Sequence, residues 1–191
     1  MKTRDVDIRN SLENYITNKF SYDNSTKIVH ELNVCYGSAR VDLAAINGSF
    51  HGYEIKSDVD TLERLPLQVE NYNQVFDHMT LVCSEKFVAE AEKIIPEWWG
   101  IYKAAVDEDK KVNISIYRDT KTNNSVDAFA LTQFLWKEEV INILGRLGAD
   151  KKISRLPKYK LWALLADICP LDSLKVYVRT CLKQRENWRL D

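Results

Sequence analysis

An α/β fold with a mixed central sheet, followed by a C-terminal helical extension, is what this 191-residue sequence predicts. Three observations carry that expectation. Apolar residues recur at helical spacing at the start, three strand-like runs follow in quick succession, and everything beyond about residue 125 has helical periodicity. The length suits one domain, or one with a sizeable extension, and is enough to bury a core without disulfides. With 45% hydrophobic and 29% charged residues, the chain is too apolar to be mostly disordered.

The first helix is marked by Ile8, Leu12, Tyr15, Ile16 and Phe20, behind Asp5 and Asp7 in the first turn. After a polar loop at 21–26 come three runs rich in β-branched or aromatic residues, Ile28–Val34, Arg40–Ile46 and Phe50–Ser57. Tyr36-Gly37-Ser38 and Asn47-Gly48-Ser49 separate them as turns. Pro66 suits the first position of a second helix, expected to run to about Asp77. His78–Cys83 reads as a short buried strand, and Ser84 as the cap of a helix through Val88, Ala91, Ile94 and Ile95 that stops at Pro96. Ile101–Val106 and Val112–Tyr117 are two further strands, the second with Val112, Ile114 and Ile116 on one face. The polar loop 120–125 divides the chain into 1–124 and 125–191, and the second part reads as helices over about 126–147, 157–168 and 172–187.

Charge is divided along the chain. Residues 145–191 carry eleven Lys/Arg against five Asp/Glu, a net +6, whereas residues 1–144 have a net −7. An acidic body with a basic tail suits a polyanionic partner for the tail or a metal in the body, and suits a solvated helical surface almost as well. Among these basic residues are Lys151, Lys152, Arg155, Lys158, Lys160, Arg179, Lys183, Arg185 and Arg189. Cys35, Cys83, Cys169 and Cys181 form no C-x-x-C pair, and with three histidines available a structural zinc site is not expected. No apolar run approaches the ~20 residues of a membrane span, and the opening residues lack the apolar core of a signal peptide. The expectation is a cytoplasmic protein with free thiols and no membrane partner. Phosphate-binding and dinucleotide-binding glycine motifs are absent from the sequence.

The stretch from 31 to 72 carries the chemistry: Glu31, Asp42, Glu54-Ile55-Lys56, Gln68 and Tyr72. Residues two apart on a strand share a face, so Glu54 and Lys56 point the same way. Charges in an otherwise apolar strand are costly unless a metal, each other or solvent satisfies them. Two carboxylates and a lysine can hold Mg²⁺ and a nucleophilic water, which is what phosphodiester hydrolysis needs. An E-x-K on its own is common on exposed strands. Asp42 one strand earlier, after an amphipathic helix, is what makes the pattern informative. Gln68 and Tyr72 lie i, i+4 on one helix face, as in any packed helix. Asp58 and Asp60 read as turn caps, and Arg64 as a loop residue able to meet a phosphate. Trp98 and Trp99, between Pro96 and Gly100, read as a packed corner, with stacking on bases as the alternative.

The order helix, strand with Glu31, strand with Asp42, strand with Glu54-x-Lys56, then helix resembles the PD-(D/E)XK, or restriction-endonuclease-like, nuclease superfamily. Gln68-x-x-x-Tyr72 is similar to the Q-x-x-x-Y element of its exonuclease-type members. The wording E-I-K-S-D-x-D-T-L-x-R-L, with P-E-W-W-G further on, resembles a small bacterial group within that superfamily. The likeness covers about residues 5–100, and Val41 stands where the name-giving proline would precede Asp42. It implies an αβββαβ nuclease core over 1–124 with a helical basic extension over 125–191. It also implies Mg²⁺, with Mn²⁺ able to substitute, as cofactor and DNA as partner. Asp42 and Glu54 would be metal ligands, Glu31 an auxiliary ligand and Lys56 the catalytic lysine, with Gln68, Tyr72 and Arg64 toward the substrate. The implied activity is Mg²⁺-dependent hydrolysis of DNA. The alternatives are a catalytically silent domain of this fold that binds nucleic acid or a protein, and an RNA-cleaving toxin on the same fold. A second copy of the chain or another protein stays open as a partner.

Register decides whether such a site can exist. A two-residue Asn47-Gly48 turn would pair Ile46 with Ser49 and send Asp42 and Glu54 to opposite faces, whereas a three-residue loop pairs Ile46 with Phe50 and sets Asp42 opposite Glu54. Asn-Gly favours the first by turn propensity. The nuclease reading requires the second, or a bulge that restores it.

Overall fold

A computed structural model describes residues 3–185 as three layers, with one helix on one face of a six-stranded sheet and the remaining helices on the other. Helix α1 is Asp5–Lys19; it is followed by β1 (Lys27–Val34), β2 (Ala39–Ile46) and β3 (Phe50–Lys56), an antiparallel meander. Helix α2 (Leu65–Tyr72) then crosses to β4 (His78–Cys83), parallel to β3, and the one-turn helix α3 (Val88–Ala91) leads to β5 (Gly100–Val106), parallel to β4. β6 (Val112–Arg118) returns antiparallel at the edge, so the strand order follows the chain and the sheet is mixed. Four helices complete the C-terminal region: α4 (Ala128–Thr132), α5 (Lys137–Arg146), α6 (Lys158–Ile168) and α7 (Leu171–Gln184). Among the described residues no helix is long and apolar enough to cross a membrane.

Each face of the sheet has its own core, as strand alternation demands. Ile8, Leu12 and Ile16 of α1 bury against Leu43, Ala45, Tyr53, Ile55, Val82 and Tyr102. The opposite face is larger: Val41, Ala44, Ile46, Phe50, Met79 and Leu81 pack under α2 and under apolar residues of α4 to α7. The C-terminal helices therefore share a core with the sheet. Asp77 ties them down, because its carboxylate accepts from the Phe50 N–H at 2.9 Å and pairs with Lys175 at 2.8 Å and Arg179 at 3.5 Å, both on α7.

Three expected elements differ. Helix α2 ends at Tyr72 and tightens into turns, with Val75 N–H bonding Tyr72 O instead of reaching Asp77 in helical form. The helix expected over 126–147 is two. Phe134 and Leu135 turn inward between them, and their carbonyls are taken by Arg185 Nη2 and by Trp162 Nε1. Those side-chain donors satisfy what an uninterrupted helix would have satisfied itself. Ser84 makes no side-chain capping bond, and the helix after it shrinks to a 3-10 turn and α3. The third face residue of β6, Ile116, is 48% exposed, while Val112 and Ile114 pack on the α1 side. The end of the last helix expected to reach about 187 lies outside the described residues.

The hairpin between β2 and β3 has the three-residue loop. Ile46 pairs with Phe50, Ala45 with His51, Ala44 with Gly52 and Leu43 with Tyr53. Asn47 causes it: its Oδ1 accepts from the Ser49 N–H at 2.9 Å, and its own N–H bonds Ser49 O at 3.1 Å. Gly48 has no positive φ, so the Asn-Gly pair does not form the tight turn that its propensity favours.

Candidate active site

Continuing that register puts Asp42 across from Glu54, and the β1–β2 register puts Glu31 across from Asp42. Three carboxylates thus stand in one row over β1, β2 and β3. Like charges directly opposed are unfavourable, and both ladders give way at this row. The β1–β2 pairing skips Glu31 and Asp42, and the β2–β3 pairing stops at Leu43 and Tyr53. Glu31 has φ +53°, a left-handed conformation costly for a residue with a Cβ. The side-chain alternation slips there as well, because Val29 and Leu32, three apart, enter the same core, as do Val41 and Ala44. In place of a ladder bond, the Ile55 N–H donates to Asp42 Oδ2 at 2.7 Å.

Glu54 and Lys56 point under α2 and are buried, with 2% and 4% exposure. Lys56 Nζ lies 2.7 Å from Glu54 Oε1, which also accepts from Gln68 Nε2. The Tyr72 hydroxyl sits 2.9 Å from Glu54 Oε2 and 2.8 Å from the Arg40 carbonyl. One hydroxyl proton cannot serve both acceptors. With Glu54 protonated, Glu54 can donate to Tyr72 and Tyr72 to Arg40, so every group is satisfied. Burial, and after it the Asp42 charge, push the Glu54 carboxyl up to about 7. Burial also raises the Asp42 carboxyl, partly offset by the Ile55 N–H and Arg9, and burial with Glu54 raises the Tyr72 phenol.

Glu31, Asp42, Glu54, Arg64 and Gln68 line one cleft of about 420 Å³. Lys56 and Tyr72 stand behind it and reach it through Glu54. Arg64, at the start of α2, is exposed at the cleft. Five of the seven residues singled out in the sequence therefore share a cavity, and the other two bond one of those five.

Arg9 of α1 was not among the residues singled out in the sequence. Its guanidinium contacts Asp42 Oδ1 at 2.9 Å, the Asp42 carbonyl at 2.9 Å, Glu31 Oε1 at 2.7 Å and Asp5 at 3.1 Å. Arg40 pairs with the second Glu31 oxygen at 2.8 Å. Each acid of the row thus has a cationic partner within the chain. Nothing local in the sequence marks Arg9, which lies 33 residues from Asp42.

Among the described residues no group of three or more His, Cys, Asp or Glu is arranged to hold a metal ion. The donor chemistry nevertheless fits a hard divalent cation. Asp42 and Glu54 supply carboxylate oxygens at the cleft, and Gln68 Oε1 is buried without a hydrogen-bond partner. Glu31 lies at the same cleft with both oxygens already paired to arginines.

The remaining candidates have structural roles. Asp58 Oδ2 accepts from the Thr3 N–H and hydroxyl, and Asp60 Oδ2 from the Ser57 N–H and hydroxyl. Trp99 is fully buried, stacked on Tyr72 at 6.1 Å, with Nε1 bonded to Asn73. In the basic tail, Arg179 and Arg185 are paired with Asp77 and Glu139, and Lys183 bonds Ser25. Lys152, Arg155 and Lys160 are exposed, and Arg189 lies outside the described residues. All four cysteines are free thiols.

Comparison with known proteins gives a family match over nearly the whole chain: the family described as Bacteriophage P4 protein cII matches residues 1–189. The chain is 28% identical to protein cII of Enterobacteria phage P4 over 182 residues, which is 95% of this chain and 67% of that protein. Among solved structures it is similar to a protein of unknown function from Silicibacter pomeroyi. That likeness has a TM-score of 0.44 and 18% identity, over 78% of this chain and 94% of that one.

Proposed function

The chain belongs to the bacteriophage P4 protein cII family, and we propose that its acid row is the active site of a Mg²⁺-dependent nuclease of the restriction-endonuclease-like kind, acting on DNA. One observation carries this reading. Asp42 and Glu54 are brought opposite each other by a hairpin register that turn propensity alone would not select, with Lys56 on the same face.

In this reading Asp42 and Glu54 hold the divalent cation, with Mn²⁺ able to replace Mg²⁺. Once held, the cation supplies Lewis-acid polarisation of the phosphoryl oxygen and lowers the pKa of the attacking water. The chain's own groups do the rest. Lys56 Nζ stands behind the cleft, 2.7 Å from Glu54, so its positive charge would act on the attacking water and the phosphoryl group across that carboxylate. Gln68 and Tyr72 fix the Glu54 carboxylate from α2, which keeps a buried ligand in one rotamer. Arg9 holds Asp42 from α1, and Arg64 meets a substrate phosphate at the cleft mouth. Glu31, paired with Arg9 and Arg40, would be an auxiliary ligand, through water or to a second cation.

The test is incubation of the purified chain with duplex, single-stranded and branched DNA, and with RNA, in Mg²⁺, Mn²⁺ and EDTA. Cleavage of DNA with either metal, absent in EDTA and in Lys56→Ala, is the expected result. Cleavage of RNA alone would make the protein a ribonuclease on the same fold. No cleavage of any substrate would favour a catalytically silent domain, a reading supported by the way Arg9, Arg40 and Lys56 already neutralise the acids.

A further inference from the structure

The cleft does not end at the acid row. Glu31, Asn33 and Gly37 line both it and a second cavity of about 340 Å³, so the two cavities adjoin along the latter half of β1 and the turn that follows it. The far part is walled by Tyr36, Gln133, Trp136 and Lys158, a different chemistry from the acid row.

Tyr36 has the most unusual setting of these. It sits in a 3-10 turn, Cys35–Gly37, in which three successive residues are left-handed, with φ of +48°, +55° and +85°. Cys35 and Tyr36 carry a Cβ, and this conformation is disfavoured for them. The strained turn does not bury the aromatic ring. Tyr36 stays 78% exposed, touching Trp162 only edge-on at 5.6 Å. Trp136, 37% exposed, carries Arg185 over its ring at 4.2 Å, so Tyr36 offers the more open aromatic surface. Lys158, at the start of α6, adds a partly exposed positive charge on the same wall.

We propose that this groove is a subsite for an unpaired DNA strand running away from the acid row, with Tyr36 stacked on a base and Lys158 on the backbone. An open aromatic ring and a lysine along one groove are what sequence-independent single-strand binding uses. A duplex keeps its base faces stacked on each other and presents none to Tyr36. The groove joins the acid row through three shared residues, so a strand lying in it leads to the cleft where Arg40 and Arg64 stand. The assignment of DNA as the ligand rests on the nuclease reading, whereas the stacking contact can be measured without catalysis.

The experiment is equilibrium binding of the full chain to labelled oligothymidylate, to a blunt-ended DNA duplex and to oligouridylate, in EDTA, read by fluorescence anisotropy over a salt series. Tyr36→Ala should weaken oligothymidylate binding by about fivefold or more, the lower end of what loss of one stacked base gives. Tyr36→Phe should bind like the wild type, since the ring is kept. Lys158→Glu should weaken binding and flatten its salt dependence. Binding of the blunt-ended duplex should be insensitive to Tyr36→Ala. Thermal unfolding of Tyr36→Ala, at the exposed site, should match the wild type. Wild-type affinity in Tyr36→Ala, equal losses for single strand and duplex, preference for oligouridylate, or no oligonucleotide binding at all would each overturn the proposal. Tyr36-dependent binding without cleavage in Mg²⁺ would instead sink the nuclease reading and leave the subsite standing.

Discussion

At the scale of single residues, the site is governed by the cost of burying Glu54. Its carboxyl is raised to about 7 against an unfolded value near 4.5, so the folded state prefers the protonated form. The stabilisation is therefore fully present below about pH 4.5 and is lost as pH rises through 7, a change on the order of 3 kcal/mol. Chemical denaturation without divalent cations should show stability falling between pH 5 and pH 8, and Glu54→Gln should flatten that slope. A bound cation favours the ionised form. Mg²⁺ should accordingly raise the melting temperature more at pH 8 than at pH 5.5, and equal shifts would argue against Glu54 as a ligand. For activity, Asp42→Ala, Glu54→Ala and Lys56→Ala should each remove most cleavage while the chain still folds, as judged by circular dichroism. Full activity of Lys56→Ala at saturating Mg²⁺ would contradict the role given to Lys56. The sequence showed most of this site, because Asp42, Glu54-x-Lys56 and Gln68-x-x-x-Tyr72 are local patterns. Arg9 was not legible there, since its partners come from β1 and β2 and only folding brings them near.

At the scale of elements, local signals and tertiary demands disagree in two informative places. The Asn47-Gly48 pair favours a two-residue turn, yet the Asn47 side chain bonds Ser49 and opens the loop by one residue. The apolar pattern over 126–147 is continuous, and the break at 133–136 comes from Trp162 and Arg185 capturing backbone carbonyls, partners that no local window contains. The strand runs and α1 were legible because alternation and 3.6-residue spacing are set by burial on one face. Strand β3 also carries a steric requirement. A Cβ on Gly52 would stand 2.2 Å from Met79 Sδ and 3.1 Å from the Phe76 ring. Gly52 lies two residues before Glu54 on the same face, and Gly52→Ala must displace Met79 and crowd the Phe76 ring beneath that strand. A loss of about 1–3 kcal/mol in urea denaturation is expected, as for other overpacked cores, and it should be accompanied by reduced cleavage. An unchanged midpoint would mean that Met79 moves freely.

At the scale of the whole molecule, the basic tail divides into cations that hold the fold together and cations left at the surface. Lys175 and Arg179 of α7 meet a buried Asp77, whose carboxylate also receives the Phe50 N–H, so one acid joins the C-terminal helices to the central strand β3. Its removal leaves two cations and a backbone donor without their partner. Asp77→Ala should cost about 3–5 kcal/mol, and because the pair is mostly out of solvent the loss should persist in high salt. Lys152 and Arg155 belong to the other class, exposed on the turn before α6. If the tail meets the DNA backbone, Lys152→Glu with Arg155→Glu should leave the unfolding midpoint within experimental scatter. It should lower the slope of log affinity against log salt by about one to two units, the release expected for one or two phosphate contacts. The two variants thus separate the two kinds of cation: one changes stability at any salt, the other changes only how binding responds to salt. An unchanged slope in the double reversal would take Lys152 and Arg155 out of the DNA contact and would leave Arg40, Arg64 and Lys158 as the cations facing the strand.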